Sequence, residues 1–330
     1  MSSSISNISN IQGPVSFRYL EKDEQKIYLF GDRHKKSGIE CPNSQHIVNV
    51  LKSIVKPFDF YVEGAPEHAH EEIELSNYLR EVLKLVHSNN VIKVNYSDTR
   101  HMFFDYYIKG VFHVFSTLLE LCETYIQNNR QISSELLNSY IDDVADGLKV
   151  YSENQEKTNN FILDINFGIN QMKLENEINK LQKNNKDIFA LLVDFLQKER
   201  NQYVKTDFIK YYEAYLMFLG PLLINANGTK KIITQQIQKK FLKLIEKDGT
   251  LEKLRMLNNN LAMLSGLYMD FYLLVHFFNN NNNCNIIYAG EFHIENYVNI
   301  LTHAGFTQKY AVAHLNQCLP IGDITLPLFS

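Results

Sequence analysis

KIYLFGDRH at residues 26–34 and NIIYAGEFH at residues 285–293 follow one pattern. Each is an apolar run rich in Ile, Leu, Phe and Tyr that stops at Gly-x-x-His. A short apolar run bounded by turn residues reads as a core strand covered on both faces. Two such strands, one near each end of the chain, predict a single sheet assembled from both ends.

The surroundings support this. VSFRYL before the first strand predicts a hairpin partner across the polar turn EKDEQ. Beyond it, residues 44–55 place Ile47, Val50, Leu51, Ile54 and Val55 on one helical face, with Ser44 as the expected N-cap and Pro57 as the stop. FDFYVEG predicts a second core strand ending at Glu63 and Gly64. Residues 71–86 predict a helix with Ile73, Leu79, Leu83 and Val86 inward, and residues 91–96 a third strand running into Asp98 and Arg100. Strand, helix, strand, helix, strand is the order of an α/β fold with a mainly parallel or mixed sheet.

From residue 102 to 278 the apolar residues recur at three- and four-residue spacing, as in KTDFIKYYEAYLMF and KKIITQQIQKKFLKLIEK. Gly220-Pro221, Asn227-Gly228 and Asp248-Gly249 punctuate this stretch, and no fixed repeat occurs. Residues 294–304 predict a helix closed by Gly305, and QKYAVAHL (308–315) a last strand. The expected organisation is a disordered tail at 1–13 and one α/β domain over 14–330. That domain contains an all-helical insertion at about 102–283.

The chain has 330 residues and a net charge of -4, which argues against a nucleic-acid partner, since that would want a basic patch. Cys41, Cys122, Cys284 and Cys318 lie far apart without a CxxC. Free thiols in a reducing compartment, the cytoplasm, are expected. The N-terminus has no charged segment followed by an apolar one, so no secretory signal is read. FFDYYIKGVFHVFSTLLELC is interrupted by Asp105, Lys109 and His113, and LYMDFYLLVHFF is short and carries Asp270 and His276. Both read as buried helices, not membrane spans, with His113 and His276 as core histidines.

In open α/β sheets, ligands bind beyond the carboxyl ends of the strands. Four strands bring polar residues there: Asp32 with His34, then Glu63, then Asp98 with Arg100, then Glu291 with His293. Two imidazoles among carboxylates suit a divalent transition metal such as Zn, Mn, Fe or Co. Gly31, Gly64 and Gly290 would let backbone approach a ligand closely.

GDRH at 31–34, VEG with Glu63, SDTR with Arg100 and GEFH at 290–293 resemble the motifs of the TraB/Tiki group, distantly related to ChaN-like proteins and erythromycin esterases. The resemblance covers the strand-bearing ends and not the helical middle. It implies metal-dependent hydrolysis of a peptide or small-molecule substrate. His34, Glu63 and His293 would be metal ligands or acid–base groups, with Mn, Co or Zn as the metal, and Arg100 would steady an oxyanion. The family's arginine-bearing helix before the last Gly-x-x-His is replaced here by LYMDFYLLVHFF, with Asp270 and no Arg. Glu199-Arg200-Asn201 is similar to that element but lies far upstream. The Asn-rich composition also resembles that of large-DNA-virus proteins, which would place the chain in a host cytoplasm.

Two other readings remain. Asp32-Arg33-His34 after a strand resembles the first motif of metallophosphoesterases, but the later GDxxD and GNH[DE] are missing. A non-catalytic scaffold on an old hydrolase fold is the other, with the helical middle as a surface for partners or self-association. GxxxxGK[ST] and GxGxxG are absent.

Overall fold

The computed structural model describes residues 10–33, 41–54, 57–64, 78–87, 92–98, 107–280, 282–314 and 316–320. The expected site residues His34 and Arg100, the start of the 71–86 helix and residues 1–9 lie outside them. Contacts divide the chain into two compact units. The first comprises Met1–Asp98, Asn176–Val193 and Met269–Ser330, and the second Thr99–Glu175 and Asp194–Tyr268. The span expected as an insertion is therefore shared, because residues 176–193 and 269–283 group with the sheet.

The first unit contains β1 (Asn10–Gln12), β2 (Ser16–Lys22), β3 (Gln25–Asp32), β4 (Ser44–His46), α1 (Ile47–Lys52), β5 (Asp59–Val62), α2 (Tyr78–His87), β6 (Lys93–Tyr96), β7 (Cys284–Gly290), α11 (Glu291–His303), β8 (Thr307–Ala313) and β9 (Cys318–Pro320). A six-stranded mixed sheet has the order β6-β5-β7-β3-β2-β8. β3, β7, β5 and β6 run parallel, and β2 is antiparallel to both β3 and β8. The expected α/β class is thus the observed one. β7 lies between β3 and β5, and Ile286, Ile287, Tyr288 and Ala289 are all fully buried, as a strand covered on both faces requires. Gly31 pairs with Ala289 and Asp32 with Gly290, so the two Gly-x-x-His strands are direct neighbours. β2 and β3 form the expected hairpin around Asp23, whose φ of 52° turns the chain.

One face of the sheet, with Phe17, Tyr28, Phe30, Phe60 and Tyr288, packs on Val50, Leu51, Val82 and Leu83 of α1 and α2. Ile294, Tyr297, Ile300 and Leu301 of α11 are also buried.

Four local expectations are corrected. Asn10–Gln12 is not tail. It is β1, the middle of a three-stranded sheet β4-β1-β9, with Ile11 fully buried. Its partners lie far away in sequence, so no local period announces it. Second, Ser44 starts strand β4, and the helix begins later, at Ile47. His46 is its cap, Nδ1 accepting from the Val48 N–H at 3.3 Å while Nε2 pairs with Glu81 at 2.9 Å. Third, the last helix starts at Glu291, three residues early, so the GEFH histidine lies in its first turn. Fourth, the thiols are not all free: Cys41 and Cys318 form a disulfide, which leaves Cys122 and Cys284 outside it.

The second unit is helical: α3 (Lys109–Gln127), α4 (Ser134–Leu163), α5 (Ile165–Gln171), α8 (Thr206–Leu223) and α9 (Gln235–Ile245). α6 (Glu175–Asn184) lies almost wholly in the first unit, and α7 (Lys186–Tyr203) and α10 (Thr250–Asn279) contribute to both. α3 and α4 meet at Gly110 and Gly147, where a Cβ on either would lie 2.9 Å from the other's carbonyl oxygen. The Arg200 guanidinium donates to the Ile162 carbonyl at the end of α4, at 2.9 and 3.1 Å. Among the described residues one helix, Thr250–Asn279, is long and apolar enough to cross a membrane, and 67% of that apolar window is buried inside the protein. This is the burial of a core helix. The expected core histidines differ from their assignment. His113 is exposed, and His276 is half-buried with Nε2 unpartnered and its pKa lowered by burial.

Candidate functional site

Glu63 follows β5 directly and is buried. Its N–H continues the ladder to the Tyr288 carbonyl at 3.0 Å, and its Oε2 accepts from the Gly290 N–H at 2.6 Å. Gly290 is the N-cap of α11 and has no side chain to cap the helix. The Glu63 carboxylate serves there, at the end where backbone N–H groups and the helix dipole favour an anion.

In the first turn of α11 stands His293, its side chain 12% exposed. Its Nδ1 is 2.6 Å from Asp270 Oδ1, and Asp270, on α10, is fully buried. A ring nitrogen that close to a carboxylate oxygen carries the proton, so Asp270 fixes both the tautomer and the orientation of the ring. Nε2 is thereby turned toward Glu63 Oε1, 3.7 Å away. The other oxygen of Asp270 accepts from Asn296 Nδ2 at 2.7 Å. Tyr297, fully buried one turn after His293, stacks on the imidazole with ring centroids 6.4 Å apart. Burial first, then the charges of Asp270 and Glu63, push the Tyr297 hydroxyl well above its usual pKa, so it stays protonated. His293, Asn296 and Tyr297 share one face of α11 by their three- and four-residue spacing.

The neighbouring strand ends complete the edge. Asp32 is buried at the end of β3, and after burial its charge is the leading cause that raises the Tyr288 hydroxyl pKa. Asp98 is buried after β6, its N–H donating to the Gly64 carbonyl at 3.2 Å. Glu291 turns toward β2 instead, where it accepts from the Ser16 hydroxyl and pairs with Arg18 at 3.4 Å. Burial raises its pKa, opposed by Ser16 and Arg18. The absence of a side chain at Gly31 makes room for this carboxylate and the Ser16 hydroxyl, which occupy the place of a Cβ. Gly64 is likewise approached by the Leu83 side chain, at 2.7 Å from a Cβ position.

The structure thus brings Glu63 and His293 together, places Asp32 and Asp98 at adjoining strand ends, and directs Glu291 elsewhere. The sequence reading missed Asp270, Asn296 and Tyr297 as site residues. One signal was present: Asp270 is an acid in a highly apolar helix, and a buried charge needs a partner. Among the described residues no three His, Cys, Asp or Glu side chains are grouped to hold a metal ion. His293 Nε2 and Glu63 Oε1 supply two donors of the chemistry a divalent transition metal takes. No family model, curated protein or solved structure matches this chain.

Proposed function

We propose that the chain is a metal-dependent hydrolase of peptide or ester bonds, with its site at the carboxyl edge of β5 and β7. The observation that carries this reading is His293, pinned through Nδ1 by buried Asp270 and turned through Nε2 onto Glu63. A neutral imidazole so held points a lone pair at a carboxylate, and a cation or a proton between them relieves the repulsion. Glu63 and His293, with His34 two residues beyond β3 in the sequence, would hold Mn, Co or Zn. When bound, that metal lowers the pKa of a water and supplies the nucleophile. Asp270 keeps the ring in one tautomer and Tyr297 walls one face of it, and by the motif resemblance Arg100 would steady the developing oxyanion. The resemblance of the four strand-end motifs to the TraB/Tiki group supports the same chemistry. The substrate in this reading is a small molecule or peptide.

A second reading has its own support: Asp270 and His293 already form an acid–imidazole pair, which can deprotonate water or a nucleophile without a metal. The test is elemental analysis of the purified chain after mild dialysis, beside turnover of a panel of peptides, esters and phosphoesters. Near-stoichiometric transition metal, lost in folded Glu63→Gln/His293→Gln protein together with peptide or ester turnover, is the expected result. Turnover without metal selects the second reading. Turnover of phosphoesters alone selects a phosphohydrolase. No turnover, with partner binding unchanged in the variant, selects a scaffold.

A further inference from the structure

Helices α8, α9 and α10 of the second unit enclose a groove of about 460 Å³. Its floor is aromatic: Tyr211, Tyr215 and Phe218 of α8 fall on one face by their spacing of four and three. Its rim is cationic. Lys240, Lys243 and Lys247 come from α9 and the turn that follows it, Lys210 from α8 and Lys253 from the start of α10. No carboxylate lines the groove, and the nearby Glu246 is engaged by the Tyr125 hydroxyl at 2.7 Å.

Among the described residues none of these five lysines makes an ion pair. Elsewhere in the molecule, lysines such as Lys230 and Lys309 are paired with acids. Lys253 and Lys210 instead sit 5.0 and 5.6 Å from the centre of the Tyr211 ring. Five unneutralised cations around one small cleft repel one another, in a chain whose net charge is -4. A multiply charged anion relieves that repulsion, and an aromatic floor takes a planar ring. The volume falls within the roughly 300–1,000 Å³ of small-molecule sites, which favours a compact ligand over a polymer. We infer that this groove binds a nucleoside di- or triphosphate, its base against Tyr211 and Phe218 and its phosphates among the lysines of α9 and α10.

Isothermal titration of the full chain with ATP, inorganic tripolyphosphate and a single-stranded oligothymidylate tests this. ATP is expected to bind, and to bind more weakly as salt is raised. Lys243→Glu/Lys247→Glu protein, altered only at exposed positions, should bind ATP about tenfold more weakly or worse. Tyr211→Ala should weaken ATP while leaving tripolyphosphate unchanged. The inference is overturned if ATP does not bind, or if the lysine variant binds it like the wild type. It is equally overturned if the oligothymidylate binds about tenfold tighter than ATP and the same lysine change removes it.

Discussion

His293 is held by Asp270 and faces Glu63, and Asp270 in turn is held by His293 and Asn296. A fully buried carboxylate survives only while its partners compensate for lost water. Replacing His293 by Ala removes a hydrogen bond that compensates buried Asp270 and should lower the unfolding free energy by about 3 kcal/mol or more. In an Asp270→Asn background the same replacement should cost much less, a coupling of about 1–3 kcal/mol in the double-mutant cycle. Urea denaturation of the four proteins measures this, and additive losses would mean that the two residues do not act as a pair. The legible part of the site was what strands announce. Glu63 and His293 stand one and three residues past the ends of the apolar runs that form β5 and β7, and the end of such a run is a local signal. Asp270 comes from a helix whose pattern says only that it is buried. That its charge meets His293 is a tertiary fact with no local signature.

Among the elements, the pattern was readable wherever it was long. The period of α3, α4, α8 and α10 spans several turns, and the apolar runs of β3, β5 and β7 fill whole strands. β1, β4 and β9 have three residues each, too few to show a period, and their pairings join positions near 10, 45 and 319. Helix boundaries shifted for a related reason. His46 caps α1 because Glu81 of α2 holds its ring, and Glu63 caps α11 across the sheet, so both starts depend on distant residues. The α3–α4 crossing is a contact that the sequence conceals. A Cβ on Gly110 would lie 2.7 Å from Tyr151 N and 2.9 Å from Gly147 O, backbone atoms that cannot step aside. Gly110→Ala should therefore destabilise by about 1–3 kcal/mol, despite the better helix propensity of Ala. The exposed Asp143→Ala on the facing helix α4 should stay within about 0.5 kcal/mol. Thermal unfolding checks both, and a stabilised Gly110→Ala would refute the close approach.

At the scale of the whole molecule, the sheet unit is closed by its own chain ends. β1 is sandwiched between β4 and β9, and the disulfide from Cys41 to Cys318 ties the segment before β4 to the start of β9 across 277 residues. A covalent link over so long a loop removes many conformations from the unfolded chain and is worth about 2–4 kcal/mol. It also bears on where the protein works, because such bonds persist in oxidising surroundings and are reduced in most cytosols. The expectation of four thiols and the bonded structure give different titration counts. Without reductant, denatured protein should react with a thiol reagent at Cys122 and Cys284 alone; after reduction all four cysteines should react. In the native state Cys122 should stay silent, since burial pushes its pKa up to about 12 and shields it. Reductant should lower the melting temperature of the wild type and leave Cys318→Ser protein unaffected. Four reactive thiols in denatured protein purified without reductant would return the chain to a reducing compartment. The closure of its sheet would then rest on the pairing of β1 with β4 and β9 alone.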